Sequence, residues 1–175
     1  MGNKRKTENE TLIAIGIVGI PLAFLIFLIY RYMKFNIKSS NGQILTMRND
    51  SQGLGHYGAP RGTRKHRGVD FEILPHRGFK LPFDVKIKRK GLVKVGQPFN
   101  LLELAPTGVF QNVIKFKFMY SDLLNVPVGS IVPKDEIIGR TQDVAKFYGG
   151  SMKNHLHVET RIFGKLINPN LFFNV

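Results

Sequence analysis

The sequence predicts a mainly β domain preceded by one apolar helix, and three observations carry that reading. Glycine is abundant (18 of 175 residues) and accompanies 14 phenylalanines and many Val and Ile, a mixture that favours strands and turns over a helical bundle. Two segments alternate strictly: Val69, Phe71 and Ile73 in one, Leu156, Val158, Thr160 and Ile162 in the other, which is the period of a strand with one buried face. Residues 11–30 run for twenty positions without a charge. At about 1.5 Å per residue they cover roughly 30 Å, the hydrocarbon thickness of a bilayer. The length suits one ordinary domain plus an accessory segment.

Taken in order, residues 1–10 form a basic flank containing Lys4, Arg5 and Lys6, and residues 11–32 form the expected transmembrane helix. Pro21 falls mid-helix, where membrane helices tolerate it. Tyr30 and Tyr32 stand at the interface, with Arg31 and Lys34 beside them, as membrane anchors are built. A cleaved signal peptide also starts basic, but here RYMKFN follows the apolar run in place of a small-x-small cleavage site. A buried core helix is the other alternative, and a run apolar on every face fits lipid better. Positive charge is nearly balanced across the two flanks, so orientation stays open. Residues 33–55 are polar and broken by Ser, Asn and Gly, and read as a tether with one short strand at 44–47. The domain then occupies residues 56–175.

The formal net charge is +14, spread through the chain. Such a field attracts polyanions: nucleic acids, anionic headgroups, acidic envelope polymers. No helix-turn-helix, Cys/His finger or aromatic RNA-binding strand motif is present, so no specific nucleic-acid partner is expected. There is no cysteine, which removes disulfides and leaves His, Asp and Glu to hold any metal. Nothing in the pattern specifies an oligomeric state.

Chemistry concentrates in the histidines, all of which lie beyond residue 55. In His66-Arg67-Gly68-Val69-Asp70-Phe71-Glu72-Ile73, a strand would put His66 and Asp70 on one side, away from the apolar set. In His155-Leu156-His157-Val158-Glu159, the two histidines share a face at i, i+2. A catalytic zinc needs three protein ligands and an open position. His66, Asp70 and His157 supply that set. His155 is then left to hold or deprotonate the metal-bound water, or to protonate a leaving amine. On spacing alone, ordinary surface histidines on a basic sheet remain an alternative. Glu159 shares the histidine face, either orienting a ligand or pairing with an arginine. The run Lys86-Ile87-Lys88-Arg89-Lys90 reads as a solvated strand edge, with a grip on anionic glycan as the functional alternative.

These residues resemble a known family. HRGVD at 66–70 is similar to the HxxxD motif, and HLHVE at 155–159 to the HxH motif, of the M23-type (lysostaphin/LytM-like) zinc metallopeptidases. Outside the motifs, Tyr57-Gly58, LPFD at 81–84 followed by KGLV at 90–93, the stretch from Val128-Gly129 to Thr141, and RIFGKLINPNLF at 161–172 resemble the same domain, so the likeness covers residues 56 to about 173. It implies a compact, antiparallel β-sheet domain with a groove floored by the sheet. Zn2+ would be held by His66, Asp70 and His157, with His155 as a catalytic histidine. The family's second catalytic histidine stands in a segment like Tyr-x-His-Leu; the matching stretch here is Tyr120-Ser121-Asp122-Leu123, which puts Asp122 in its place. An ionised Asp122 could act as a base toward water or orient His155, but it cannot donate to an oxyanion. His56 and His76 are the remaining candidates to compensate.

The function so implied is a membrane-anchored zinc endopeptidase that hydrolyses peptide cross-bridges of bacterial peptidoglycan, in wall remodelling or in local wall opening by a phage or mobile element. Residues 11–30 would sit in a lipid bilayer, that of the bacterial inner membrane or of a membrane-containing virion, with the C-terminal domain on the cell-wall side. The alternative, kept by Asp122, is a wall-binding or regulatory module that retains zinc with little or no turnover.

Overall fold

Two antiparallel sheets and a pair of small hairpins make up the domain. The structure, a computed structural model, describes residues 34–123 and 125–175. The expected helix at 11–32 and the flank before it lie outside the described residues. Among the described residues no helix is long and apolar enough to cross a membrane.

The larger sheet has seven strands. A meander of β8 (Val85–Leu92), β9 (Asn100–Pro106) and β10 (Ile114–Met119) leads to β14 (His155–Ile162). β12 (Ile131–Val132) covers the start of β8, while β15 (Lys165–Ile167) and β6 (Val69–Glu72) lie end to end along the far edge of β14. The smaller sheet orders β1 (Lys38–Ser39), β7 (Gly78–Lys80), β13 (Ile137–Thr141) and β11 (Ser121–Leu123). Two hairpins complete the set, β2–β3 (Asn49–Asp50, Gly53–Leu54) and β4–β5 (Pro60–Arg61, Arg64–Lys65). One short helix, α1 (Val144–Phe147), is N-capped by the Asp143 carboxylate, which accepts from the Lys146 N–H.

Strand alternation decides which face is core and which is site. On β10, Ile114, Phe116 and Phe118 are buried while Lys115 is exposed. On β14, Leu156 and Val158 turn to the same interior. Phe79 of the smaller sheet stacks on Phe118 at 5.4 Å, and Phe116 meets Phe172 and Phe173 at 5.6 and 5.2 Å. The opposite face of β14 is therefore free to present His155, His157, Glu159 and Arg161.

The stretch expected to be a tether is different. The chain divides into units at Met1–Lys34 and Phe35–Val175, so residues 35–55 fold with the domain. Phe35 bridges to Phe173, and its N–H donates to the Phe172 carbonyl at 2.7 Å. Ile37 and Leu45 are buried in the core, and Arg48 is buried with them. Met47 bridges to Phe71. Polar spacing hid this, because Ile37, Ser39, Leu45, Arg48 and Gly55 are buried at irregular intervals, with exposed and half-buried residues between them. The strand expected at 44–47 is present only as isolated bridges at Ile44 and Met47.

A chain begun at residue 56 should consequently fail to fold. It forfeits two buried aliphatic side chains and a buried guanidinium, about 5 kcal/mol or more, which rivals the whole stability of a small domain. Urea titration followed by circular dichroism should give a cooperative transition for a chain begun at Phe35 and none for the shorter one.

Candidate metal centre

The site is assembled where β6, β14 and the end of β10 meet. Register places Asp70 opposite His157, and Met119 opposite His157 on the other side. His66 precedes β6 instead of belonging to it, since β6 begins at Val69. Its backbone is pinned to the β4–β5 arm: its N–H donates to the Ala59 carbonyl at 2.8 Å, and its carbonyl accepts from Gly58 at 2.9 Å. The expected single strand from 66 to 73 is thus two segments, and His66 still converges with Asp70.

Three atoms form a tight triangle. His66 Nε2 lies 3.0 Å from His157 Nδ1 and 3.1 Å from Asp70 Oδ1, and His157 Nδ1 lies 2.8 Å from the same oxygen. His66, Asp70 and His157 constitute a group able to hold a metal ion. Ring orientation supports that use. His66 Nδ1 is 2.8 Å from the His56 carbonyl, so it carries the proton and leaves the Nε2 lone pair facing the triangle. A ligand histidine held by a backbone carbonyl through its outer nitrogen is how metal sites fix the tautomer. Imidazole and carboxylate together suit zinc. The residues present therefore fit the group that the sequence motifs imply.

His155 stands beside them without joining the triangle. Its Nδ1 is 2.9 Å from the Lys153 carbonyl, which turns Nε2 toward Asp70 Oδ1 at 3.8 Å. Burial pushes this imidazole down to about 4, against the opposing pull of Asp70. At neutral pH it is uncharged, with a lone pair directed into the site. For Asp70 burial works against ionisation, yet the contacts of His157 and His66 outweigh it and hold the carboxyl well below the usual carboxylate range.

The second oxygen of Asp70 has partners that sequence reasoning missed. Arg48 Nη2 donates to Oδ2 at 3.0 Å, and Arg61 Nη2 reaches it at 3.4 Å. Arg48 also grips Asp50 with Nη1 at 2.7 and 2.8 Å from the two carboxylate oxygens. Backbone bonds lock the same region: the Arg48 N–H to the Asp70 carbonyl at 2.8 Å, and the Asp70 N–H to the Gly55 carbonyl at 2.9 Å. No periodic pattern in the sequence marks Arg48, whose partner lies 22 positions away.

Gly68 explains the middle of HRGVD. A Cβ there would fall 2.3 Å from the Val158 carbonyl oxygen and 2.7 Å from His157 Nε2. The imidazole of His157 thus packs where any other residue would carry its side chain.

Asp122 is not where the sequence reading puts it. It lies on β11 in the smaller sheet, opposite Arg140, with Asn100 Nδ2 at 3.4 Å, and it does not line the cleft over the histidines. Tyr120 lines that cleft instead, its ring edge-on to His155 at 5.2 Å and 6.5 Å from His157. The physical reason is a break in parity. Tyr120 has φ 65° and ends β10, and the chain then crosses into the other sheet. Burial pushes the Tyr120 phenol up to about 12, so it remains a neutral O–H donor. His56 and His76 do not line the cleft either. Glu159 is buried and ringed by cations, with Arg67 at 3.7 Å and Arg161 at 3.6 Å, and lies 4.0 Å from His157 Nε2. The run at 86–90 belongs to β8, between β12 and β9 at its start, where Arg89 pairs with Glu103 at 2.7 Å.

No protein-family model and no curated protein matches the chain, but solved structures do. The catalytic domain of the antimicrobial peptidase lysostaphin from Staphylococcus simulans is 26% identical over 70% of this chain and 90% of that one, with a TM-score of 0.53. LytU is 20% identical over 70% of this chain and 83% of that one, at 0.52. Csd3 from Helicobacter pylori is 20% identical at 0.53; the match covers 82% of this chain and 35% of that one. The fold is that of the M23, lysostaphin/LytM-like peptidase domains.

Two substitutions test the frame of the site. Arg48→Met leaves Asp50 and Asp70 without their shared guanidinium, and should destabilise the domain by about 3–5 kcal/mol, seen as a lower urea midpoint. Gly68→Ala should displace His157 and weaken zinc binding about 10–100-fold in a chelator competition, with secondary structure retained.

Proposed function

We propose that this chain is a zinc-dependent endopeptidase that cuts peptide bonds in bacterial peptidoglycan. One observation carries the reading: two imidazole nitrogens and a carboxylate oxygen converge within 3.1 Å, beside a third, neutral histidine, on the floor of an open cleft. His66, Asp70 and His157 would hold the zinc. Such an ion supplies a Lewis acid and lowers the pKa of a coordinated water toward neutrality.

The remaining residues divide the proton work. His155, with Nδ1 fixed on the Lys153 carbonyl, takes a proton at Nε2 from the attacking water and returns it to the leaving amine. The C–O bond forms first and leaves an oxyanion at the carbonyl. The C–N bond then breaks as the carbonyl re-forms, and the second proton of the water passes from the new carboxylic acid to the freed amine, giving a carboxylate and an ammonium group. Tyr120, rather than Asp122, supplies the neutral donor for the oxyanion that develops at the carbonyl. Residues 11–30, apolar and uncharged, would hold the domain at a membrane on its wall side. Resistance of the full chain to extraction from membranes by alkaline carbonate tests that part.

A second reading rests on one observation. Among the described residues, only three histidines line the cleft, and the aromatic neighbour of His155 there is Tyr120. In that reading the groove binds wall peptides with zinc in place and does not turn over.

The test is incubation of the zinc-loaded full chain with purified peptidoglycan of several bridge chemistries, counting newly freed amines. Cleavage that falls about 10²-fold or more in His155→Ala supports the peptidase. One zinc bound and no amine freed from any wall would contradict it and leave the binding module.

A further inference from the structure

The cleft over the metal centre, about 570 Å³ in volume, is lined on both flanks by cations. Arg61, Arg64 and Lys65 come from the β4–β5 hairpin, and Arg67 follows it into β6, along one edge of β14. Lys94 from the β8–β9 turn and Lys117 from β10 lie along the other edge. Both acids lining the cleft are already committed, Asp70 to Arg48 and the imidazoles, Glu159 to Arg67 and Arg161. Elsewhere on the domain Arg89 and Lys153 each hold an acid, Glu103 at 2.7 Å and Glu72 at 2.8 Å. Arg64, Lys65 and Lys94 are exposed and, among the described residues, form no salt bridge.

Unpaired cations facing one another across a concave wall repel, and a zinc ion on the floor would add to that field. Concave low-dielectric walls focus the field onto whatever occupies the cleft. An uncharged bridge of glycines relieves none of this repulsion; a peptide with free carboxylates relieves it on both flanks.

We propose that the cleft selects a carboxylate-bearing peptide, with acidic groups on either side of the bond over the metal centre, in preference to an uncharged glycyl bridge. This rests on the peptidase reading for its location and names the substrate class of that site. Arg64, Lys65 and Lys94 are the residues that set the preference.

The experiment is equilibrium binding of the zinc-loaded full chain to two peptides of equal length carrying a net-neutral dye, one with two free carboxylates and one of glycines only. The acidic peptide should bind about tenfold tighter at low salt, with an advantage that shrinks as salt screens the cleft. The combined variant Arg64→Ser, Lys65→Ser, Lys94→Ser should close most of the gap between the peptides while its urea midpoint stays in place. Equal binding of the two peptides by the parent chain overturns the proposal. So does a gap that survives the triple variant, or a poly(glycerol phosphate) that competes as well as the acidic peptide, which would make the cleft a general polyanion surface. Cleavage of either peptide is scored separately, so loss of the peptidase reading and loss of the charge preference are told apart.

Discussion

The carboxylate of Asp70 is the point on which the site depends. Oδ1 meets two imidazoles at 2.8 and 3.1 Å, and Oδ2 meets a buried guanidinium at 3.0 Å. A carboxylate sealed this far from water is costly unless every lone pair is answered. Arg48 answers Oδ2, which leaves Oδ1 to the imidazoles. Because Arg48 is also bonded to Asp50 and through its backbone to Asp70 and Gly55, the carboxylate cannot rotate without disturbing the N-terminal part of the domain.

That coupling links fold to chemistry. The core strips of β10 and β14 fix which face of the large sheet is apolar, and the histidines fall on the other face by parity. Gly68 then lets the His157 ring settle against the backbone of the strand partner. Outer nitrogens held by the carbonyls of His56 and Lys153 orient His66 and His155. These two imidazoles are thus aimed by backbone carbonyls beside the strands, the kind of support that keeps a site within tolerance.

How much of this was legible follows from where period-two reasoning holds. Along β14 it holds for all eight residues, so His155 and His157 were readable as a pair. Along the first segment it holds only from Val69, and His66 reached the site through the HxxxD spacing rather than through a shared strand. At Tyr120 it fails, because one residue with φ 65° ends the strand and moves the chain to another sheet. Asp122 came from the resemblance to Tyr-x-His-Leu, and of that stretch it is Tyr120 that lines the cleft. Arg48 had no periodic signature; its role comes from a contact 22 residues away, in a stretch whose exposed residues disguise its buried ones.

The central claim is that His66, Asp70 and His157 form a zinc site. The most direct measurement is the zinc content of the purified full chain after dialysis, joined to X-ray absorption at the zinc edge, for the parent and for Asp70→Asn. One zinc per chain with two imidazole ligands and oxygen donors, lost or sharply weakened in a folded Asp70→Asn variant, is the result this account predicts. A folded parent chain that retains no zinc, or one whose bound zinc shows no imidazole ligation, would contradict it.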